Sequence, residues 1–253
     1  MTRTLLLGGT SEASRLAEAL AACGADAVFS YAGRVATPAP QPLPTRIGGF
    51  GGVEGLVDYI RREGITRIVD ATHPFAAAIS RNAIAAAAQT HTPLVGLERA
   101  PWVPEPADLW LSMPDLAAAA AYLPQASQRV FLAIGRQHLD AFAVAPQHSY
   151  LLRLVDPPEG PLPLATAEAV IARGPFTLEG DRDLLIRHRI DWIVTKNSGG
   201  EGARAKLMAA RELRLPVLMV QRPELPPRKV LGSVGEVLDW LDHSAPVPLT
   251  PGT

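Results

Sequence analysis

Short apolar runs alternate along this chain with longer segments of helical periodicity, and Gly or Pro stands at most of the junctions. The pattern predicts strand 4–8, helix 11–23 closed by Gly24, strand 26–32, a short strand near Arg46-Ile47, and a helix from about Val53 to Glu63 followed by Gly64. Strand 67–70, helix 74–90 and strand 94–97 continue it, with a Pro-rich passage at Pro38, Pro40, Pro42 and Pro44 in between. The stretch Glu98 to Asp108, with Pro101, Pro104 and Pro106, breaks the periodicity and reads as a linker. Beyond it the pattern predicts strands at 109–112, 129–134, 149–155, 191–195 and 216–221, and helices at 115–123, 136–142, 165–172, 179–189, 202–213 and 234–242. Repeated strand–helix alternation implies parallel sheets covered on both faces. The expected fold class is α/β: two Rossmann-like or flavodoxin-like domains, residues 1–98 and 99–253, facing each other across a cleft.

Composition narrows the function classes. The chain has 253 residues, 47% hydrophobic and 19% charged, with a formal net charge of -1. Near-neutrality gives no global attraction to nucleic acid or an anionic membrane, so any anion must be met by local clusters. No apolar window of about 18 residues is present and the N-terminus shows no signal-peptide pattern, which leads us to expect a cytoplasmic protein. One cysteine, Cys23, excludes an intramolecular disulfide and a thiolate-held cluster by count; its position suggests core packing. The six histidines show no ligand-pair spacing, so no metal site is expected.

Candidate chemistry gathers at strand ends, where open α/β sheets place ligands. The first is Gly8-Gly9-Thr10-Ser11-Glu12-Ala13. Set against G-x-G-x-x-G/A, Gly8 takes the first place, Thr10 stands in for the second glycine and Ala13 takes the third. Such a turn aims backbone N–H groups and a helix dipole at a phosphate of a dinucleotide; an ordinary strand-to-helix turn capped by Thr10 or Ser11 is the alternative. In an NAD-binding unit the second strand ends in an acid, whereas here Ser30 and Arg34 stand near that position and no acid follows until Glu54. That suits the 2′-phosphate of NADPH, with a solvated loop arginine as the other reading.

Three further strand ends are polar. Asp70-Ala71-Thr72-His73-Pro74 puts Asp70 and His73 where they orient a substrate or relay a proton, although His73 serves equally as a cap. Gly135-Arg136 is one basic loop; Thr195-Lys196-Asn197-Ser198-Gly199-Gly200 is another, and its lysine precedes the glycines, so it is not an ATP-binding P-loop. No tyrosine is followed four places on by lysine, which argues against a short-chain dehydrogenase or epimerase. A non-catalytic two-domain anion-binding protein stays open.

Together these four motifs, in this order over nearly the whole chain, resemble the precorrin-6A reductase family of cobalamin biosynthesis. The Pro-rich tail from Ala245 has no counterpart there. The resemblance implies NADPH-dependent reduction of one double bond in ring D of a multiply carboxylated tetrapyrrole, without flavin or metal. It implies NADPH at Gly8, Gly9, Thr10, Ser11, Glu12, Ala13, Ser30, Arg34 and Thr72, and substrate at Arg136, Lys196, Asn197, Ser198, Gly199, Gly200 and Arg204. Hand-over of the tetrapyrrole between neighbouring pathway enzymes belongs to the same picture.

Overall fold

A computed structural model describes residues 2–32, 39–158 and 160–243. In chain order the elements are β1 (Thr4–Leu7), α1 (Ser11–Ala22), β2 (Ala27–Tyr31), β3 (Thr45–Ile47), α2 (Gly52–Arg62), β4 (Arg67–Asp70), α3 (Ala77–Thr90) and β5 (Leu94–Leu97). Then come β6 (Trp110–Met113), α4 (Leu116–Tyr122), β7 (Arg129–Ala133), β8 (Ser149–Leu154), β9 (Ala167–Ile171), α5 (Leu178–Arg187), β10 (Trp192–Lys196), α6 (Ala205–Leu213), β11 (Val217–Val220), β12 (Lys229–Leu231) and α7 (Val234–His243).

The chain divides into two units, Met1–Arg99 with Glu224–Thr253, and Ala100–Pro223. Each holds one six-stranded sheet, ordered β12-β5-β4-β1-β2-β3 in the first and β6-β11-β10-β7-β8-β9 in the second. Every pairing is parallel. In the first sheet the chain starts at the central strand β1, winds outward through β2 and β3, then returns to β4 and β5 on the other side; in the second, after the edge strand β6, it repeats this path from the central strand β7, which is doubly wound topology. The sixth position is filled by exchange: after the fifth strand of the first unit, β5, the chain builds β6 beside β11, and after β11 it builds β12 beside β5. The C-terminal elements β12 and α7, expected within a domain 99–253, therefore belong to the first unit.

Burial explains the strands. β1 is covered on both faces: Leu5 and Leu7 pack with Leu56, Ile60 and Ala83 of α2 and α3, while Leu6 packs with Leu16 and Leu20 of α1 and Val237 of α7. This two-sided burial is why the central strands read as unbroken apolar runs.

Several expected elements change. Residues 165–172 form strand β9, not a helix, because hydrogen-bonded pairing with β8 overrides the helix propensity of Ala and Glu. Residues 136–142 are a 3-10 helix, and the helix expected over 202–213 divides into a 3-10 turn at Glu201–Ala203 and α6. α3 begins three residues after Pro74, since His73 to Ala76 form a turn closed by Ala76 N–H donating to the His73 carbonyl at 2.7 Å. Cys23, expected in the core, is exposed at the C-cap of α1.

Candidate functional site

In the first unit the strand order reverses between β1 and β4, and the two polar motifs of the first half lie there, with Leu7 and Asp70 in register. Gly8 is a glycine for steric reasons: an added Cβ would sit 2.0 Å from Cζ of the fully buried Phe29. Gly9 has φ +127°, a region open to glycine. Thr10 caps α1 by accepting from the Ala13 N–H at 3.1 Å, and its hydroxyl donates to the Ala71 carbonyl at 2.8 Å, tying the turn to the loop after β4. Among the described residues, the N–H groups of Gly9, Thr10, Ser11 and Glu12 meet no acceptor, and they lie at the positive end of the α1 dipole. The carboxylate of Glu12 is held by Arg15 and Arg99, each at 3.0 Å, so its charge at this turn is balanced.

Asp70 is almost fully buried and both of its oxygens are occupied. Oδ1 accepts from the Thr72 N–H at 3.2 Å and the Thr72 hydroxyl at 2.7 Å; Oδ2 accepts from Arg228, which also bridges to Glu98. Burial works against the Arg228 charge, but Asp70 and Glu98 outweigh it and raise the pKa of the guanidinium. His73 accepts at Nδ1 from the Phe75 N–H at 3.2 Å, which puts the proton of its neutral ring on Nε2. Gly8, Ser30, Thr72 and the Gly48-Gly49-Phe50 loop line one pocket. Arg34 lies outside the described residues. A residue that sequence reasoning passed over stands beside Ser30 instead: Arg46, on β3, donates to the Ser30 hydroxyl at 2.8 Å.

In the second unit the reversal lies between β7 and β10, and the Gly135-Arg136 and Lys196–Gly200 loops occupy it. Arg136 follows Gly135 (φ +84°), is exposed, and has no carboxylate partner among the described residues. Lys196 ends β10 with its side chain largely buried. The amide of Asn197 brackets the backbone of Trp102, Oδ1 accepting from its N–H at 2.8 Å and Nδ2 donating to its carbonyl at 3.0 Å. Trp102 Nε1 donates to the Gly200 carbonyl at 2.9 Å, and Arg222 donates to the carbonyls of Asn197 and Ser198. At Gly199, φ is +69° and a Cβ would lie 2.1 Å from the Ala100 carbonyl oxygen. Asn197 and the glycines therefore shape this loop. Arg204 pairs with Glu105 at 3.0 Å and Glu201 at 3.3 Å, so its charge is already met.

No group of three or more His, Cys, Asp or Glu among the described residues is arranged to hold a metal. No described helix is long and apolar enough to cross a membrane. One edge presents backbone N–H groups, from Gly9 to Glu12, and the other carries the cationic side chains of Arg136 and Lys196.

Residues 3–242 match the family described as Precorrin-6x reductase CbiJ/CobK. This chain belongs to that family. The precorrin-6A reductase of Rhodobacter capsulatus is 63% identical over 246 residues, covering 97% of this chain and 98% of that protein. That of Rhodococcus erythropolis is 49% identical over 243 residues, covering 95% and 98%. The cobalt-precorrin-6A reductase of Priestia megaterium is 32% identical over 248 residues, covering 94% and 97%. A solved CobK precorrin-6A reductase, 62% identical, superposes with a TM-score of 0.93 over 97% of this chain and 98% of its own. Like these relatives, the chain is an α/β reductase of the family, with a parallel sheet in each unit.

Proposed function

We propose that this protein reduces precorrin-6A with NADPH, at a double bond in ring D, in cobalamin biosynthesis. The observation that carries the cofactor half of this reading is the run of open N–H groups from Gly9 to Glu12 at the N-terminus of α1, the arrangement that receives a pyrophosphate. When bound, the nicotinamide supplies a hydride to an electron-poor ring system. The chain's own residues bind, orient and handle the proton. Gly8 and Gly9 allow close backbone approach, Thr10 fixes the turn against the β4 loop, and Ser30 with Arg34 meets the 2′-phosphate that an acid at this place would repel. Asp70, committed to Thr72 and Arg228, is a positioning residue. His73, with its proton on Nε2, orients the proton source of this edge, an ordered water or a substrate carboxyl group. On the second unit Arg136 and Lys196 anchor substrate carboxylates, with Ser198, Gly199 and Gly200 offering backbone approach beside them. A cytoplasmic setting follows from dependence on the NADPH pool.

Titration with NADPH and NADH, followed by nucleotide fluorescence, tests the cofactor half; turnover of precorrin-6A tests the rest. Arg136→Ala is expected to raise KM for the tetrapyrrole about 10- to 100-fold with little change in NADPH affinity, the loss of one charge-assisted contact. Failure of both nucleotides to bind would sink the reading.

A further inference from the structure

Ser30 and Arg46 are cross-strand neighbours in register on β2 and β3, at the end of the sheet where the pocket lined by Gly8, Ser30, Gly48, Gly49 and Phe50 opens. The Arg46 guanidinium is held in one plane. NH1 donates to the Ser30 hydroxyl and to the Gly48 carbonyl, both at 2.8 Å; NH2 donates to the Gly49 carbonyl at 3.1 Å; and the group lies 3.8 Å from the centroid of the Phe50 ring, with Tyr59 at 5.3 Å. Those contacts use three of the five guanidinium N–H donors, leaving one on NH2 and the one on Nε. Among the described residues no carboxylate pairs with it. By contrast, Arg153, Arg204, Arg211 and Arg228 each meet an Asp or Glu. A cation held in a partly buried position against neutral acceptors and an aromatic face is one prepared for an anion from outside the chain.

The place identifies the anion. In a doubly wound sheet that holds a dinucleotide at the first β–α turn, the adenosine ribose lies at the end of the second strand, where an acid recognises a free 2′-hydroxyl. Here that strand end presents Ser30, whose oxygen is already turned into an acceptor for a cation. We propose that Arg46, through its remaining donors and together with Ser30, is the residue that selects the 2′-phosphate of NADPH over NADH. The assignment rests on the reading that a nicotinamide nucleotide binds at the Gly8 turn, and it adds a fixed cation on β3 to the one assigned to Arg34.

The test is equilibrium binding, by nucleotide fluorescence and by competition with 2′,5′-ADP and 5′-ADP, for the wild type, Arg46→Gln, Ser30→Asp and Arg34→Ala. Arg46→Gln retains donors for the loop carbonyls and loses the charge; it is expected to weaken NADPH and 2′,5′-ADP about 10- to 100-fold and to leave NADH and 5′-ADP within about twofold. Ser30→Asp gives Arg46 an internal carboxylate and is expected to abolish the preference for the 2′-phosphate, which keeps the proposal testable if Arg46→Gln does not fold. Equal weakening of phosphorylated and unphosphorylated nucleotides, or selectivity lost only in Arg34→Ala, would overturn it. Absence of binding of any of the four nucleotides to the wild type would instead overturn the cofactor reading beneath it.

Discussion

The two units carry the same strand order and put their polar loops at the same topological place, yet they furnish it oppositely. In the first, the chain after the central strand β1 enters a full α-helix, so the edge offers backbone N–H groups, and the acids around it, Glu12, Asp70 and Glu98, are neutralised by arginines of the same unit. In the second, the chain after β7 enters only a 3-10 helix, which carries the exposed Arg136, and the loop after β10, with the largely buried Lys196, is held by an amide clamp. Backbone donors suit a phosphate approached closely; long cationic side chains suit carboxylates spread over a large ring system. On the proposed reading one topology serves two kinds of anion, and the element entered after the central strand decides which.

The strongest way to break that contrast is to remove the ion pairs of the first edge. Arg228→Met leaves Asp70 and Glu98 charged and without their shared cation in a largely buried place, and the expected loss is about 3 to 5 kcal/mol of stability. Denaturant unfolding followed through nucleotide binding reports the first unit. A loss below about 1 kcal/mol would mean that the edge is held by its backbone alone. In the second unit, Asn197→Leu strands the buried N–H and carbonyl of Trp102, for an expected loss of about 2 to 3 kcal/mol. Intrinsic fluorescence reads this change, since Trp102, Trp110 and Trp192 all lie in the second unit and only Trp240 in the first. If Asn197→Leu instead kept full stability and lost substrate affinity, the clamp would be a binding group after all.

Which features are legible in the amino-acid sequence depends on the range of the interactions behind them. β1, β4, β7 and β10 are readable because burial on both faces writes itself locally as an apolar run, and the turn after β1 because Gly8 answers to Phe29 and Gly9 to its positive φ. The acid-free end of β2 is readable too. β9 is not: Ala167, Glu168 and Ala169 favour a helix, and only pairing with β8 decides otherwise. β12 spans three residues, and its place beside β5 depends on the chain returning across the whole second unit. The roles of Asp70 and Asn197 depend on partners 158 and 95 positions away, so a polar residue at a strand end reads as chemistry when its side chain is holding the edge together. Arg46 is visible as a strand residue, but its importance comes only with its registration against Ser30.

The gentlest perturbation separates the units by acid. His148, in the second unit, is almost fully buried; its Nδ1 accepts from the Gln128 N–H at 3.1 Å, and burial lowers its pKa from the ordinary 6.5. The unfolded chain therefore takes up a proton near pH 6.5 while the folded chain resists until lower pH. The stabilisation is complete above the unfolded value and is lost as pH falls through the folded one. Protonation would also turn the Nδ1 acceptor into a donor facing the Gln128 N–H. His148→Asn keeps an acceptor near that position and removes the titration, so the variant is expected to show a flatter dependence of tryptophan-reported stability on pH between about 7 and 5 than the wild type. Parallel curves for the two proteins would show that His148 does not set the pH dependence of the second unit in this window, where carboxylates such as Asp108 stay ionised and would act only at lower pH. Burial opposes the charge of Asp108, but the guanidinium of Arg211 holds its pKa below the ordinary value.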